Sequence, residues 1–498
     1  MRTTRVDPDG NGARPIAQTH RPLVVTALVL GLFMAAMEFT VVSTAMPTVI
    51  GDLGGIQLYS WVFTAYMLAS TVTVPIFGKL ADLRGRKPIM LIGLALFLAG
   101  SMASGQARSM PQLIAFRALQ GLGAGAMQPI SLTIVGDIFN LKERARMQGL
   151  FGAVWGLAGL AGPLLGGLIV DALSWRWVFY INVPFGIGSA VILMMALHER
   201  VERQQHTLDF RGTALFTLAC VALLLGAHGG NMAIIGLPAA AVGFILFFRA
   251  ELHSPEPILP LELFRRRVMA VSSAAGVLVG ATMMASVTYI PLFVQGVRGL
   301  SPTQAGATLT PIVIGWPIAS AIGSRLSLRL GFRRLVWWGL ALVAAASVLL
   351  AWSLDGDGGL IVPRLAMGLM GAGMGLATVS ILLAVQSSVE WRQRGVATSS
   401  TMFFRIMGGA IAIGILGAIL TARLEAVPGV SPEQANQLLG PAHGRDLPPE
   451  LFQALGMTLR ESLVMIFWAI AGISVLAFLV ALRFPAVSPP QESEPVAR

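Results

Sequence analysis

The sequence has little charge for its length. Only 12% of the 498 residues are charged while 55% are apolar, and the mean hydropathy is +0.74. A typical soluble protein carries about 25% charged residues, so roughly half of the expected surface charge is missing. No polar segment is long enough to form a soluble domain of about 100 residues or more. These deficits exclude a water-soluble protein and favour a chain that folds in a lipid bilayer.

Cysteine is nearly absent as well. Cys220 is the single cysteine, which excludes a disulfide framework and a cysteine metal cluster. The sequence also lacks the Gly-rich Lys-Ser/Thr phosphate loop that an ATP-driven pump requires. His198-Glu199 is not followed by the second histidine of a His-Glu-x-x-His zinc site. We therefore expect neither an enzyme nor a bound metal or cofactor.

Fourteen apolar segments are long enough to cross a bilayer, for which an α-helix needs about 20 mainly apolar residues. Only Gly229-Gly230 separates the seventh segment from the eighth, so these two can also be interpreted as one hairpin. The even number places both ends of the chain on one side. The predicted spans start near Leu23, Ser60, Ile89, Leu113, Leu150, Val178, Arg211, Met232, Ala270, Thr303, Leu335, Leu360, Thr398 and Ser462.

The basic residues orient these spans. With the N-terminus inside, 26 of the 35 Lys and Arg residues fall on inner segments, six on outer segments and three within spans. Cytoplasmic loops carry such an excess of Lys and Arg. The net charge of +11, which in a soluble protein would suggest nucleic acid, thus marks the inner face instead. We expect a multi-pass protein of the cell membrane (inner or plasma membrane) with both termini cytoplasmic and no nucleic-acid partner.

An internal repeat divides the chain. Arg117 opens a glycine-rich segment that recurs at Arg364, 247 residues later, and the pair Arg144-x-Arg146 recurs as Arg392-x-Arg394. Two further segments recur at nearly the same offset, which predicts two parallel six-helix halves with spans seven and eight inserted between them. The predicted parts are a tail (1–22), a six-helix bundle (23–200), a linker with spans seven and eight (201–267), a second bundle (268–483) containing an extracytoplasmic loop (424–460), and a tail (484–498).

The loop from Gly78 to Lys87 resembles the signature loop between spans two and three of the major facilitator superfamily. Glycine lets the backbone turn tightly, and Asp82 can accept hydrogen bonds from a helix N-terminus or pair with arginines. The alternative interpretation is an ordinary basic loop on the inner side without a gating role. The resemblance implies a latch on the outward-facing state, formed by Gly78, Asp82, Gly85 and Arg86.

The fifth span carries a run of glycines from Gly156 to Gly167. Glycines three or four residues apart clear one face of a helix for close contact, and the proline within the run must bend the helix. A general packing face explains the glycines but not a Gly-Pro pair followed by paired glycines. The run resembles the motif that marks exporters and antiporters of the superfamily, carried here by Gly159, Gly162, Pro163, Gly166 and Gly167.

Further matches resemble the 14-helix drug:proton antiporters, the EmrB/QacA group. They are the segments Glu38–Pro47, Trp175–Pro184 and Leu208–Gly212 and the two residues Trp61 and Tyr66 of the second span. The resemblance covers about residues 23–425. It implies an all-α polytopic membrane protein with the major facilitator fold, made of two pseudo-symmetric six-helix bundles plus two linker helices. It also implies a proton-driven exporter of small lipophilic, often cationic drugs or toxic compounds that works by alternating access. We expect it to act as a monomer.

Glu38 and Arg117 carry the mechanistic hypothesis. An arginine within a span costs about 3 kcal/mol on insertion scales, so it is by default paired and functional. Burial and a neighbouring arginine act on a carboxyl group in opposite directions, so Glu38 can exchange a proton if its contact with Arg117 changes. We expect Glu38 to bind a proton from the outer side and release it inside; the alternative is a permanently paired structural acid. The family usually has Asp at this position, and the thirteenth span offers Arg405 and no acid.

The remaining cavity candidates are mostly aromatic or apolar, which suits bulky lipophilic compounds that bind by contact area. Export of an endogenous metabolite or lipid stays open as an alternative, as does a non-transporting receptor on the same fold. Proton-coupled uptake is disfavoured by Gly162-Pro163. The candidate cavity residues are Trp61, Tyr66, Gln128, Trp155, Tyr289, Gln295 and Phe403.

Overall fold

A computed structural model describes residues 19–139, 141–199, 210–227, 230–253, 261–356, 358–389, 394–427 and 449–487. It leaves out some side chains within helices, Asp82 among them. Most of both predicted tails, all of the segment 201–209 and residues 428–448 of the predicted loop 424–460 lie outside these residues.

The described chain is helical: α1 Arg21–Leu53, α2 Tyr59–Arg84, α3 Arg86–Gly105, α4 Met110–Ile138, α5 Leu141–Ala172, α6 Trp177–Tyr180, α7 Asn182–Ala196, α8 Phe210–Ala227, α9 Gly230–Glu251, α10 Arg267–Leu292, α11 Pro302–Leu330, α12 Phe332–Asp355, α13 Ile361–Ser388, α14 Arg394–Glu425 and α15 Pro449–Ala481, with short 3-10 turns at Ile56–Leu58 and Leu261–Arg265 and a π-turn at Phe293–Val297.

Twelve helices within the described residues are long and apolar enough to cross a membrane. The prediction of an all-α polytopic membrane protein is therefore confirmed. Two further helices, α4 and α8, occupy the predicted fourth and seventh spans without meeting that criterion. In α4 the polar side chains of Arg117, Gln120 and Gln128 lower the hydropathy, and in α8 the apolar stretch is short. The count of fourteen spans stays a prediction.

Two helices begin well before their predicted spans. Helix α5 begins at Leu141 instead of near Leu150, and α15 begins at Pro449 instead of near Ser462, inside the predicted loop 424–460. Both extensions are polar, and Pro449 followed by Glu450 suits a helical first turn, where proline is pre-organised and an acid favours the dipole. Hydropathy marks the apolar part of a long helix and misses the part that extends beyond it.

The same helix pairings occur in the two halves of the chain. In the first half α4 packs against α2 and α3, while α1 packs against α5 and α7. In the second half α13 packs against α11 and α12, while α10 packs against α14 and α15. Helices α8 and α9 pack on each other, and α8 also contacts α2 and α14. The inserted pair thus lies beside the boundary between the halves.

The halves are joined at the end of the bundle where α1 finishes and α2 begins, which we term the closed end. The hydroxyl of Ser43 donates to the carbonyl oxygen of Val287 at 2.5 Å. The hydroxyl of Tyr59 donates to the carbonyl of Thr288, and its ring centre lies 5.9 Å from that of Tyr289. These contacts tie α1 and α2 to the last turns of α10.

The halves diverge away from the closed end, as the contact between α5 and α11 shows. A Cβ atom at Gly156 would lie 2.8 Å from Cγ of Pro317, so the two helices touch there. A Cβ atom at Gly152, one turn earlier, would meet nothing within 4 Å. Trp155, between these glycines, is 44% exposed. A space between the halves therefore opens about midway along α5.

Candidate functional site

The candidate site centres on an ion pair in the first half. Helix α1 is buried on most of its faces because it packs against α5, α7, α4 and α10. Glu38 lies midway along it with 1% of its surface exposed, and Arg117 of α4 is fully buried. Nη1 of Arg117 forms an ion pair and a hydrogen bond with Oε1 of Glu38. The structure therefore brings together the two residues predicted to act on the proton.

Close helix packing places the arginine beside an aromatic ring. Gly121 on α4 abuts α2 so closely that a Cβ atom there would lie 3.0 Å from Cα of Tyr66. The guanidinium carbon of Arg117 consequently lies 4.2 Å from the ring centre of Tyr66 and 6.0 Å from that of Phe179. A cation over an aromatic face is stabilised by about 0.5–2 kcal/mol, more when it is desolvated. Nε of Arg117 also donates to the carbonyl oxygen of Val62 at 3.4 Å.

The second oxygen of Glu38 has its own partner. Nδ2 of Asn182, on α7, donates to Oε2 of Glu38 at 2.6 Å and to Oγ of Ser101 at 3.0 Å. Ser101 in turn donates to the carbonyl oxygen of Phe179 at 2.8 Å. The carboxylate thus joins α1 to α4 through one oxygen and to α7 through the other.

Several polar atoms around the carboxylate are not satisfied. Oε1 of Gln120 accepts from Nη1 of Arg117 at 2.7 Å. Within the described part of the chain, however, Nε2 of Gln120, Nη2 of Arg117 and Oδ1 of Asn182 are buried without a hydrogen-bond partner. An unsatisfied buried polar group costs about 1–3 kcal/mol, and such groups are uncommon outside functional or strained sites. Because the hydrogen bonding around Glu38 is incomplete, these side chains can change partners without giving up a fully hydrogen-bonded arrangement.

The signature loop anchors α3 to the ends of two other helices. Gly85 has a φ of +98°, a conformation that favours glycine, and it separates α2 from α3. The backbone amides of Arg86 and Lys87 donate to the two carboxylate oxygens of Glu199 at 2.7 and 3.0 Å, so Glu199 caps α3. Nε of Arg86 also lies 3.0 Å from a carboxylate oxygen of Asp137, at the end of α4. Arg86 thus connects α3 to the end of α4 and to the segment that follows α7.

Gly78 and Asp82 are the two other residues of this loop that were predicted to form the latch. A Cβ atom at Gly78, on α2, would meet nothing within 4 Å, so the structure shows no close approach that requires this glycine. The side chain of Asp82 lies outside the described residues. The role of Asp82 in a latch therefore stays a prediction.

The glycines of the exporter motif allow α5 to contact two helices at once. A Cβ atom at Gly162 would collide with Thr40 of α1, and one at Gly166 would collide with Thr44 of the same helix. The other motif residues contact α11, where Gly159 faces Val313, Gly167 faces Thr303, and the carbonyl of Pro163 abuts Gly306. The motif therefore places α5 between the two halves.

The seven candidate cavity residues lie in different places. Tyr66 belongs to the buried ion-pair cluster, while Trp155, next to the contact between Gly156 and α11, is 44% exposed. Tyr289 donates to the carbonyl of Ile413 at 2.9 Å and Gln295 donates to the carbonyl of Thr44 at 2.9 Å, both close to the closed end. The ring of Phe403 packs 5.0 Å from that of Phe216 on α8. Trp61 and Gln128 are half-buried on α2 and α4.

A family model decides which family this architecture represents: the model of the Major Facilitator Superfamily matches residues 28–413. The chain belongs to the Major Facilitator Superfamily. It is 39% identical over 443 residues to the multidrug transporter protein MdtP of Bacillus subtilis (strain 168), covering 85% of this chain and 82% of MdtP. It is 37% identical over 450 residues to multidrug resistance protein 3 of the same organism, covering 88% and 87% of the two chains.

Solved structures share the fold of this Major Facilitator Superfamily chain. A bacterial homologue of the human lysosomal transporter Spinster, in an inward-facing and unoccupied conformation, has a TM-score of 0.65 at 17% identity. The match covers 95% of this chain and 98% of that one. The family match and the two Bacillus subtilis relatives identify the chain as a multi-pass membrane transporter of the superfamily with multidrug transporters among its relatives.

Two residues of this site, Asn182 and Glu199, were not predicted from the sequence. Asn182 lies in the quoted segment Trp175–Pro184, and its signal is an amide that opens an otherwise apolar helix. Glu199 entered the sequence argument only as part of an incomplete zinc motif. An acid just beyond a span, on the same side as the basic loop at Arg86, would have indicated a partner for that loop.

Proposed function

We propose that the chain is a proton-coupled exporter of small lipophilic compounds, with fourteen spans and both termini in the cytoplasm. The single observation that carries the proposal is the buried ion pair of Glu38 and Arg117. A charged pair within a bilayer is costly and marks a functional site by default. Its surroundings leave three buried polar atoms without partners in the described residues, which supports an exchange of partners during transport.

The position of Glu38 supports a link between protonation and access. Its carboxylate ties α1 to Arg117 and to Asn182, and a protonated carboxyl would lose the charge that holds Arg117. Ser43, five residues further along α1, holds the closed end by its bond to Val287. Protonation of Glu38 therefore frees the helix that joins the two halves, and it biases the equilibrium between open and closed forms.

The same proposal assigns direction and energy source. With cytoplasmic termini, the closed end is extracytoplasmic and the space beside Trp155 opens to the cytoplasm. For export, the closed end must open so that protons enter from the extracytoplasmic side. They bind Glu38 and then leave on the cytoplasmic side. The proton gradient supplies the energy for transport, and no cofactor takes part. The glycine and proline residues of α5 support this reading because they form the contact along which the two halves must move.

The test uses purified protein in liposomes with an imposed pH gradient and a fluorescent lipophilic substrate. Replacing Glu38 by Gln removes the titratable group and keeps the shape of the side chain. We expect E38Q to bind the substrate and to exchange it across the membrane, but to lose accumulation driven by the gradient. E38D keeps a carboxylate and is expected to retain coupling.

The matched control is Glu425→Gln, which neutralises an exposed glutamate at the end of α14. It should leave coupling unchanged. Gradient-driven accumulation by E38Q equal to that of the unmodified protein would overturn the assignment of Glu38. Absence of flux with every lipophilic compound tried would favour a receptor instead, and flux restricted to one endogenous metabolite or lipid would favour the narrower exporter.

A further inference from the structure

Arg405 is a second arginine deep inside the helix bundle. It is the twelfth residue of α14, and its side chain is half-buried. Its backbone carbonyl abuts Gly280, midway along α10. Its guanidinium carbon lies 5.6 Å from the ring centre of Trp316, midway along α11. Three helices of the second half therefore meet at Arg405, and its charged group lies beside α11.

Arg405 differs from Arg117 in having no acidic partner. The sequence contains no Asp or Glu between Glu262 and Asp355, and none between Glu390 and Glu425. Helices α10 to α14 therefore offer no carboxylate within their apolar parts. Among the described residues the guanidinium of Arg405 has neither an ion pair nor a hydrogen bond. The first half contributes a paired charge to the interior, whereas the second half contributes an uncompensated positive one.

An uncompensated positive charge at this depth selects its ligand. An ionisable group inside a membrane protein faces the interior or a water-filled cavity and marks a substrate or ion pathway by default. Coulomb interactions strengthen as the local dielectric falls, so a cationic compound is repelled there and an anionic one is attracted. Guanidinium groups bind carboxylates through two parallel hydrogen bonds. The chemistry of the charge therefore favours a carboxylate.

Aromatic side chains flank the same region. Trp316 precedes Pro317, which is the residue that contacts Gly156 of α5. Trp155, on the other side of this contact, is 44% exposed. A tryptophan from each half thus lies next to the crossing of α5 and α11, and Arg405 lies beside one of them. Aromatic surfaces bind flat apolar rings by area and by stacking.

We propose that Arg405 binds the carboxylate of the exported compound, and that the preferred substrates are aromatic carboxylates, including zwitterions that carry one carboxylate. The aromatic body packs on Trp316 and Trp155 while the carboxylate pairs with Arg405. This inference rests on the proposed exporter function and narrows its substrates. It departs from the mainly cationic class that the family resemblance implies.

The test compares 9-anthracenecarboxylate with its methyl ester, which has the same aromatic body and no charge. Dissociation constants for both are measured on the full-length protein in lipid nanodiscs. A hydrogen bond to a charged group contributes about 1.5–3 kcal/mol, so we expect Arg405→Gln to lower the preference for the acid over the ester by at least about tenfold. Ester binding should be nearly unchanged.

Arg423→Gln is the matched control, because it removes an exposed arginine from the same helix. It should leave the acid-to-ester preference as it is in the unmodified protein. Arg405→Lys keeps the charge and loses the two-pronged geometry, so a smaller loss of preference is expected. This variant carries the test if the glutamine variant does not fold.

An acid-to-ester preference that is unchanged in both Arg405 variants would overturn the inference, as would the absence of any preference in the unmodified protein. Gradient-driven export of the ester separates this failure from failure of the exporter function. If the unmodified protein exports the ester but shows no preference for the acid, only the substrate assignment is wrong. If it exports neither compound nor any other lipophilic probe, the exporter function itself is wrong.

Discussion

Asn182 donates a hydrogen bond of 2.6 Å to the carboxylate oxygen of Glu38 that Arg117 does not use. The two residues are 144 positions apart in the chain. The bond joins α7 to α1 at the level of the ion pair, so the charge state of Glu38 is felt by three helices. Asn182 is accordingly a positioning residue for the proposed proton site.

Replacing Asn182 by Leu should displace the pH dependence of transport to higher pH. The amide donates to the ionised carboxylate, and removing a donor to a charged form disfavours that form. A charged hydrogen bond contributes about 1.5–3 kcal/mol, equivalent to about one to two pH units. The measurement is the pH at which gradient-driven transport is half-maximal. Gln453→Leu, which removes an exposed amide from α15, should not move it. An unchanged midpoint in the Asn182 variant would show that the bond has no role in proton binding.

The ion pair itself should show strong energetic coupling. Arg117→Gln or Glu38→Gln alone leaves one buried charge without its partner, at a cost of about 3–5 kcal/mol in buried pairs of this kind. The double substitution removes both charges, so we expect it to melt closer to the unmodified protein than either single variant does. Thermal melting of the three variants in one detergent measures this. Additive losses in the double variant would mean that the two side chains do not stabilise each other.

The sequence predicts the helices and the ion pair for the same physical reason. Apolar runs of about 20 residues must be helical in a bilayer, and a buried arginine such as Arg117 needs a partner, for which Glu38 is the acid available within a span. Both predictions therefore follow from the high free-energy cost of placing polar backbone or charged groups in lipid.

The remaining contacts depend on which side of each helix faces which neighbour. The bond from Asn182 to Glu38 requires the packing of α7 on α1, which hydropathy does not encode. Tyr289 and Gln295 were predicted to line a cavity, and the structure places them in contacts close to the closed end. A transporter changes these contacts as its halves move, so a sequence shared by all states cannot specify the contacts of one of them.

Gly162→Ala should impair both stability and transport. Its Cβ atom would collide with the hydroxyl of Thr40 and lie 3.3 Å from the carbonyl oxygen of Met37, so α5 would be forced away from α1. Overpacking of this kind costs about 1–3 kcal/mol. The added substitution Thr40→Ala removes the colliding hydroxyl and should restore part of the loss. Melting temperature and transport rate are measured together.

Gly152→Ala provides the control for that experiment because it lies on the same helix where a Cβ atom meets nothing within 4 Å. Alanine is favoured over glycine in a helix by about 0.5–1 kcal/mol, so this variant should be neutral or slightly more stable. Equal behaviour of Gly152→Ala and Gly162→Ala, or failure of Thr40→Ala to help, would show that the close contact with α1 is not required.

A disulfide across the closed end should stop transport reversibly. The carboxylate of Asp171, at the end of α5, accepts hydrogen bonds from the backbone amide of Thr303 at 3.2 Å and from its hydroxyl. Cysteines at these two positions, in a background where Cys220 is replaced by Ala, leave no other thiol in the chain. Because alternating access requires the closed end to open, oxidation should block flux and reduction should restore it. Each single-cysteine variant is the control and should be insensitive to oxidant. Full transport by the cross-linked protein, with the bond verified by mass spectrometry, would mean that α5 and α11 do not separate at this end during the cycle.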